Sequence, residues 1–341
     1  MVLVFGATGF SGRMVVERLA ERGVAVLAAA RSAEKLARLA ERHPGIATAV
    51  ADVEDPASLA RAAARSELLV TTVGPYTRFG AVAAEAALAA GIGYVDITGE
   101  PAWLRRVFDE FGPRAAALGL AMLPAFGYDY VPGNLAAAIA LERSGREAVR
   151  VDVGYFLRGR NPRSTEAFSR GTLDSLEASA GAPRHGFRDG VLVDEQGARR
   201  VLEFELDGAT ATAVAIGASE QFALPRLAPW LREVNVGLGW FPPDGAQEPV
   251  EDPGSEGPGA EQRDAARTNV VAVARDADGA VLAGVQVEGP NPYDLSGLLT
   301  AWAAERILAG DLTATGALGP VEAFGLERLR AGCASVGLTA G

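Results

Sequence analysis

MVLVFGATGFSGRMVVERL occupies residues 1–19, and its reading decides the first half of the fold. Val2, Leu3, Val4 and Phe5 predict a buried strand. Residues 13–22 predict a helix with Met14, Val15, Leu19 and Ala20 on its apolar face. Between them stand Gly6, Gly9 and Gly12, spaced G-x-x-G-x-x-G. Glycines let a backbone come close to a pyrophosphate, and the free amides and positive end of the next helix attract it. A glycine pattern alone is weak evidence. A strand before it, a helix after it and an alternating α/β half beyond it supply the context that a dinucleotide loop needs. Gly6, Ala7, Thr8, Gly9, Phe10, Ser11 and Gly12 are therefore assigned to a bound cofactor, the competing reading being a purely structural turn.

The alternation continues downstream. Strands are predicted at 24–30, 48–51, 68–73, 94–97 and 121–123, and helices at 33–42, 56–64, 80–90 and 101–118. Ser32 reads as an N-cap, and Gly91 as a helix stop. Such alternation argues for a doubly wound parallel sheet. From about residue 149 strands dominate, at 151–157, 191–193, 200–205, 211–216, 234–240, 268–275 and 281–288, with hairpin-like turns at Asp189-Gly190 and Asp278-Gly279. Helices follow at 296–308 and 321–330. The expected fold is α/β. A dinucleotide-binding Rossmann domain over 1–125 is followed by an α+β domain with a mixed or antiparallel sheet over 126–319. A C-terminal helix at about 320–341 is free to pack back on the first domain. Residues 242–263, rich in Pro, Gly and Glu, read as an exposed mobile loop.

Composition excludes several classes. A net charge of −11 with no basic face in the sequence argues against nucleic acid as a partner. The single cysteine, Cys333, leaves no disulfide framework and reads as inert packing; a reducing cytoplasm is the expected compartment. A strand beginning at the second residue leaves no room for a signal peptide. The most apolar stretch, 115–141, is interrupted by Pro124, Asp129 and Pro132, so no membrane span is expected. Two histidines, His43 and His185, make no Cys/His cluster, and the carboxylates show no metal motif, so no metal is assigned. The GATGF opening is shared with extended short-chain dehydrogenases and sugar epimerases, which need Tyr-x-x-x-Lys. Lys35 is the only lysine and position 31 is Arg, so that class is excluded.

The end of the second predicted strand should meet the adenosine ribose. An NAD-specific site would place Asp or Glu there. Here the residues are Ala30-Arg31-Ser32, with Lys35 one turn on. A guanidinium fork suits a 2′-phosphate that a carboxylate would repel. The cofactor is read as NADP(H), held by Arg31, Ser32 and Lys35. Asp52, ending the third strand, either bonds the adenine amino group or caps the next helix.

Val73, Gly74, Pro75 and Tyr76 end the fourth strand, and Tyr94 to Glu100 (YVDITGE, with Gly99) end the fifth; both belong at the nicotinamide end. Residues 124–134, PAFGYDYVPGN, fall at the expected domain junction. Reducing C=O, C=N or a conjugated C=C calls for a proton donor, which a carboxylic acid or a tyrosine can supply. Asp129 is the first candidate and Tyr76 the second; alternatively Asp129 caps a helix starting near Pro132, and Tyr76 only stacks beside the nicotinamide. Tyr128 and Tyr130 are candidate substrate contacts. Arg158, with Arg160 and Arg163, either holds a substrate carboxylate or belongs to a solvated loop. His185, in a loop context, is a weak candidate base.

These segments carry a resemblance. GATGFSGR, VGPY with AGIGYVDITGE, and PAFGYDYVPGNLA resemble the saccharopine dehydrogenase-like oxidoreductases, in particular the bacterial branch that includes trans-acting enoyl reductases. Ser169-Arg170-Gly171-Thr172 is similar to a family S-G-G-T segment with Arg in place of one Gly, and Gly257-Pro258 and Pro292-Tyr293 are similar to later landmarks. The resemblance is dense to about residue 135. It implies NADP(H) on the Gly6 to Gly12 loop and Arg31, a cofactor lining of Val73 to Tyr76, and a second domain for a small-molecule substrate and a homodimer interface. True saccharopine reductases are longer and differ in their pocket motifs, so the family name does not imply the substrate. The expected function is NADP(H)-dependent hydride transfer to or from C=N or conjugated C=C, with C=O less favoured. The alternative is a non-catalytic NADP(H)-binding sensor or scaffold.

Overall fold

The computed structural model describes residues 1–159, 168–197, 199–239 and 257–341. Arg160, Arg163, the end of the strand expected at 234–240 and residues 242–256 of the expected loop lie outside the described residues. The chain forms two compact units, each assembled from separate stretches of sequence. Elements are numbered along the whole chain.

The first unit comprises Met1–Asp129, Ser169–Ala180 and Tyr293–Leu318. Its strands are β1 (Val2–Phe5), β2 (Val26–Ala30), β3 (Ala47–Val50), β4 (Leu68–Thr71), β5 (Gly93–Asp96), β6 (Ala121–Leu123) and β15 (Gly316–Ala317). They form one parallel sheet in the order β15-β6-β5-β4-β1-β2-β3. The order reverses between β1 and β4, which makes the carboxyl ends of these two strands the switch point at which doubly wound sheets bind ligands. The central strands β1, β2 and β4 are buried at every residue. The edge strand β3 alternates between half-buried and exposed, as burial on two faces and on one face respectively requires.

The helices are α1 (Phe10–Glu21), α2 (Ala33–Arg42), α3 (Pro56–Ala63), α4 (Tyr76–Ala90), α5 (Pro101–Arg106), α6 (Gly112–Ala117), α8 (Arg170–Ser179) and α11 (Pro292–Leu308). The helix expected at 101–118 is divided by a π-helical turn, Val107–Phe111, in which the Gly112 amide reaches the Val107 carbonyl five residues back. Pro113 has no N–H to continue the ordinary ladder, so the widened turn falls where the ladder would fail. One core gathers Leu3, Phe5, Leu27, Leu69, Trp103 and Phe111 between the sheet and α3 to α6. Gly80 makes room in it: a β-carbon there would lie 2.7 Å from the Trp103 ring.

Helix α11 runs beside α1, and its contacts have a constant offset. Phe10 meets Tyr293 edge-on at 5.0 Å, Gly297 lies against Met14, and Arg22 pairs with Glu305 at 2.8 Å, each pair being 283 residues apart. A constant offset means parallel helices in register, with their N-termini side by side.

The second unit comprises Tyr130–Phe168, Gly181–Pro292 and Gly319–Gly341. It holds α7 (Val131–Ser144), β7 (Arg150–Arg158), β8 (Arg184–Arg188), β9 (Val191–Glu195), β10 (Val201–Leu206), β11 (Ala209–Ile216), α9 (Glu220–Leu227), β12 (Glu233–Leu238), α10 (Ala260–Asp264), β13 (Arg267–Arg275), β14 (Val281–Gly289), α12 (Pro320–Phe324), α13 (Leu326–Ser335) and β16 (Thr339–Ala340). The sheet runs β10-β11-β12-β7-β13-β14-β16, with β8 and β9 joined beside β12. Among the described residues only β12 and β7 pair in parallel, so the sheet is mixed, as expected. At Asp189-Gly190, between β8 and β9, both residues have positive φ (50° and 83°), and Asp207-Gly208 between β10 and β11 repeats this (55° and 76°). Both positions positive is the turn that matches strand twist.

Further details differ from the sequence expectation. The units are discontinuous, where one cut at 125/126 was expected. The stretch 319–341 groups with the second unit, and the helix expected at 321–330 is two helices broken at Gly325, whose φ is 76°. The last residues of the expected 242–263 loop are not loop, since α10 begins at Ala260.

Asp96 ties the end of the parallel sheet together. It is fully buried. One carboxylate oxygen accepts from the amides of Thr98 and Ala125 (3.0 and 2.8 Å), the other from the Tyr94 hydroxyl and the Trp103 indole N–H (2.7 and 2.8 Å). Burial pushes its carboxyl above the usual range, against the pull of these four donors. Replacing Asp96 by Ala would orphan all four donors, each costing about 1–3 kcal/mol when buried. We expect Asp96→Ala to lose at least about 3 kcal/mol in urea denaturation, with Asp96→Asn milder because it keeps one acceptor oxygen.

Candidate functional site

The glycine loop is shaped by what it cannot accommodate. Gly6, at φ 89°, follows β1, and its amide and that of Ala7 both donate to the Ala29 carbonyl (2.9 and 3.1 Å). The Gly9 amide returns to the Gly6 carbonyl at 2.9 Å. A β-carbon on Gly12 would lie 2.1 Å from that same carbonyl oxygen and 2.9 Å from the Thr72 hydroxyl, and one on Gly6 would lie 2.7 Å from Thr72. Helix α1 thus starts directly on the end of β1. Gly9, its cap residue, offers no side chain to the first-turn amides, and no acidic residue stands in that turn. Open amides with an unopposed dipole favour an anion. Arg13 brackets the loop by donating to the Thr8 carbonyl at 3.1 Å.

Arg31 directly follows β2 and is exposed, as is Lys35; neither makes an ion pair among the described residues. Ser32 caps α2 by accepting from the Lys35 amide at 3.2 Å. A cationic edge with no carboxylate at the end of β2 fits a 2′-phosphate. Asp52 accepts from the Glu54 amide at 3.1 Å, while the cap of α3 is Asp55, so Asp52 orders the turn and does not cap that helix.

At the other side of the switch point, Val73, Gly74 and Pro75 are half-buried and end at α4. The first amides of that helix are taken. Glu100, 1% exposed, accepts from the amides of Tyr76 and Thr77 (2.7 and 2.8 Å), from the Thr77 hydroxyl (2.8 Å) and from the Ser175 hydroxyl on α8 (2.8 Å). Sequence reasoning missed Glu100 and Ser175, because no local pattern joins positions 24 and 75 residues apart. Tyr76 itself is buried and its hydroxyl donates back to the Thr71 carbonyl at 3.2 Å. Burial first, then the charges of Asp96 and Glu100, hold its phenol well above its usual range.

Gly99 sits on the loop between β5 and α5, which is stiffened by the Thr98 hydroxyl accepting the Glu100 amide at 3.0 Å. A β-carbon on Gly99 would come within 3.0 Å of an Asp129 carboxylate oxygen. The bare backbone therefore makes the space in which Asp129 lies. Desolvation lifts the Asp129 carboxyl from 3.8 to about 7. The cap residue of α7 is Tyr130, not Asp129.

The other candidates separate. Tyr128 is buried in the first unit, its amide donating to Ser296 at 2.9 Å. Tyr130 belongs to the second unit, where its ring lies edge-on to Tyr155 at 5.7 Å. Arg158, also in the second unit, pairs with Asp207 and with Glu288 (3.6 Å), so its charge is already matched. His185 is on β8 rather than in a loop; it is buried, with Nε2 3.0 Å from the Ala218 carbonyl and its ring against Phe222. Cys333 is buried and its thiol is pushed up to about 12, too high for reactivity. Among the described residues no three His, Cys, Asp or Glu side chains are grouped to hold a metal, and no helix is long and apolar enough to cross a membrane.

Residues 2–120 match the family model described as the saccharopine dehydrogenase NADP binding domain. A trans-acting enoyl reductase of Mycobacterium leprae is 38% identical over 140 residues, covering 39% of this chain and 34% of that protein. One from Mycobacterium ulcerans is 36% identical over 140 residues, with the same coverage. The chain thus spans about a third of the length of the curated relatives it matches. Among solved structures, apo saccharopine dehydrogenase (L-Glu forming) from Saccharomyces cerevisiae aligns with 100% of this chain and 99% of its own, at a TM-score of 0.63 and 15% identity. Residues 2–120 are thus similar to an NADP-binding domain of the saccharopine dehydrogenase type, and the chain has the fold of that dehydrogenase.

Two measurements test the site. Arg31→Ala should weaken NADPH about 10- to 100-fold, as loss of a charge-assisted phosphate bond does, while leaving NADH nearly unchanged; titration of both nucleotides reads this. Asp129 has a folded pKa above its unfolded one, so its favourable contribution is complete below about pH 4 and lost as pH rises toward 7. Asp129→Asn should therefore be the more stable protein at pH 8, by on the order of 2 kcal/mol, and should lose that advantage below pH 4 in urea titrations.

Proposed function

We propose that the protein is an NADP(H)-dependent oxidoreductase that moves a hydride to or from a conjugated C=C or a C=N bond of a small metabolite or acyl substrate, with Asp129 as the proton donor. One observation carries this reading: a desolvated carboxyl of pKa about 7, set against Gly99 at the end of β5, in the same unit as the glycine loop. The bound dihydronicotinamide supplies the hydride. The chain supplies the anion cradle of α1, Arg31 for the 2′-phosphate, and a proton for the atom left negative when hydride adds to the other end of the double bond. A carboxyl titrating near 7 is matched to that task at neutral pH. Tyr76 ranks below Asp129 because its hydroxyl is engaged by its own strand.

A conjugated C=C is favoured over C=O by the name that the mycobacterial relatives bear, trans-acting enoyl reductase. We also propose a homodimer in the cytoplasm. The broad mixed sheet of the second unit would provide the interface, and the lone buried thiol suits a reducing compartment; sedimentation reads the first of these.

The decisive experiment follows NADPH absorbance with enoyl thioesters, cyclic imines and ketones in parallel. We expect turnover of an enoyl or imine substrate, with kcat for reduction falling as pH rises through about 7. Asp129→Asn should lower kcat by about 10²- to 10⁴-fold, the usual worth of a positioned acid, at unchanged NADPH affinity. Tight NADPH binding with no consumption on any substrate would favour a sensor or scaffold instead.

A further inference from the structure

Tyr293 stands where three parts of the first unit meet. Its ring lies edge-on to Phe10, the first residue of α1 and part of the glycine loop, at 5.0 Å and 86°. Its hydroxyl accepts from the Ser169 amide at 2.8 Å and shares a hydrogen bond with the Thr172 hydroxyl at 2.9 Å. Ser169 is the cap of α8, its hydroxyl accepting the Thr172 amide at 3.3 Å. Further along α8, Ser175 bonds Glu100, which holds the first turn of α4 beside Gly74-Pro75. Helix α8 is therefore tied at its start to the glycine loop, through Tyr293 and Phe10, and farther on to the nicotinamide-side loop, through Glu100. Burial lifts the Tyr293 phenol above its usual range, so the hydroxyl stays neutral and keeps its proton for these bonds.

We propose that Tyr293 is a positioning residue for the cofactor. Its ring buttresses Phe10 and so holds the first turn of α1 at the angle that presents open amides to phosphate. Its hydroxyl holds the cap of α8. Cofactor binding and the docking of α8 then draw on one side chain, and each strengthens the other, as linkage requires. Phe10 adds nothing to a phosphate by its own chemistry; its place at the first helical position and the parallel register of α1 and α11 give the contact its leverage. This inference rests on NADP(H) being the ligand of the glycine loop, and it does not depend on Asp129 or on any substrate.

The two halves of the tyrosine can be separated. Tyr293→Phe keeps the ring and removes the hydroxyl; Tyr293→Leu removes the aromatic edge as well. NADPH affinity is read by nucleotide fluorescence, and amide hydrogen exchange is read over 169–175 with and without NADP⁺. In the wild type, NADP⁺ should slow exchange in 169–175. Tyr293→Phe should keep NADPH affinity within about twofold, because an aromatic pair at this distance persists, while exchange in 169–175 rises and responds less to NADP⁺. Tyr293→Leu should weaken NADPH about five- to tenfold, the usual worth of such a pair. A purely structural tyrosine would lower thermal stability in both variants and leave NADPH affinity equal in both. That equality, or exchange in 169–175 indifferent to NADP⁺ in the wild type, overturns the proposal while the cofactor assignment stands. Failure of the wild type to bind NADPH at all overturns both. Tyr293→Trp, which restores an aromatic edge, keeps the comparison valid if the leucine variant does not fold.

Discussion

The close approach of Gly12 to the carbonyl oxygen of Gly6 is the constraint on which the first unit depends. Nothing larger than hydrogen fits there, since a β-carbon would stand 2.1 Å from that oxygen. The contact lets α1 rise directly from β1, and that fixes where its open amides point. Thr72, just after β4, bounds the same space, its hydroxyl 2.9 Å from where a β-carbon on Gly12 would stand, so the two strands flanking the switch point are gauged against each other through one glycine. Arg31 on one side and the Val73 to Pro75 loop on the other then stand at distances set by the sheet rather than by flexible chain.

The second organising feature is the use of buried carboxylates as connectors. Asp96 and Glu100 lie four residues apart, yet they join different things: Asp96 gathers the ends of β5, α5 and the segment after β6, and Glu100 joins α4 to α8. Each is saturated with donors, which is what a buried charge requires. Asp129, the third acid of the region, has desolvation without comparable compensation, and its carboxyl rises to about 7.

Much of the first unit was legible in the sequence because it is written locally. β1, β6 and α2 fall where apolar runs and caps put them, and in the second unit Asp189-Gly190 announces its hairpin. The positions of the glycine loop between β1 and α1 and of Arg31 after β2 were legible for the same reason: strand, turn and helix are consecutive. Long-range contributions were not. The α8 segment and the start of α11 return to the first unit from 40 and more than 160 residues downstream of Asp129, and no pattern in residues 1–125 requests them. The bonds that Glu100, Ser175 and Tyr293 make were missed on that account. Arg158 shows the converse: arginines after a strand suggest an anion site, but two carboxylates that pair with Arg158, Asp207 in the turn between β10 and β11 and Glu288 on β14, are invisible to a reading along the chain.

The plug that Glu100 forms at the start of α4 has a consequence for how a ligand must lie. A parallel sheet of this kind aims several helix N-termini toward one edge, and each would ordinarily be a seat for negative charge. Here the chain's own carboxylate sits on one of them and leaves α1 bare. A dinucleotide with its pyrophosphate on α1 and its 2′-phosphate at Arg31 could not turn end for end without bringing that terminal phosphate toward Glu100. Occupation of a competing seat by the chain's own carboxylate would thus add to the polarity that Arg31 gives.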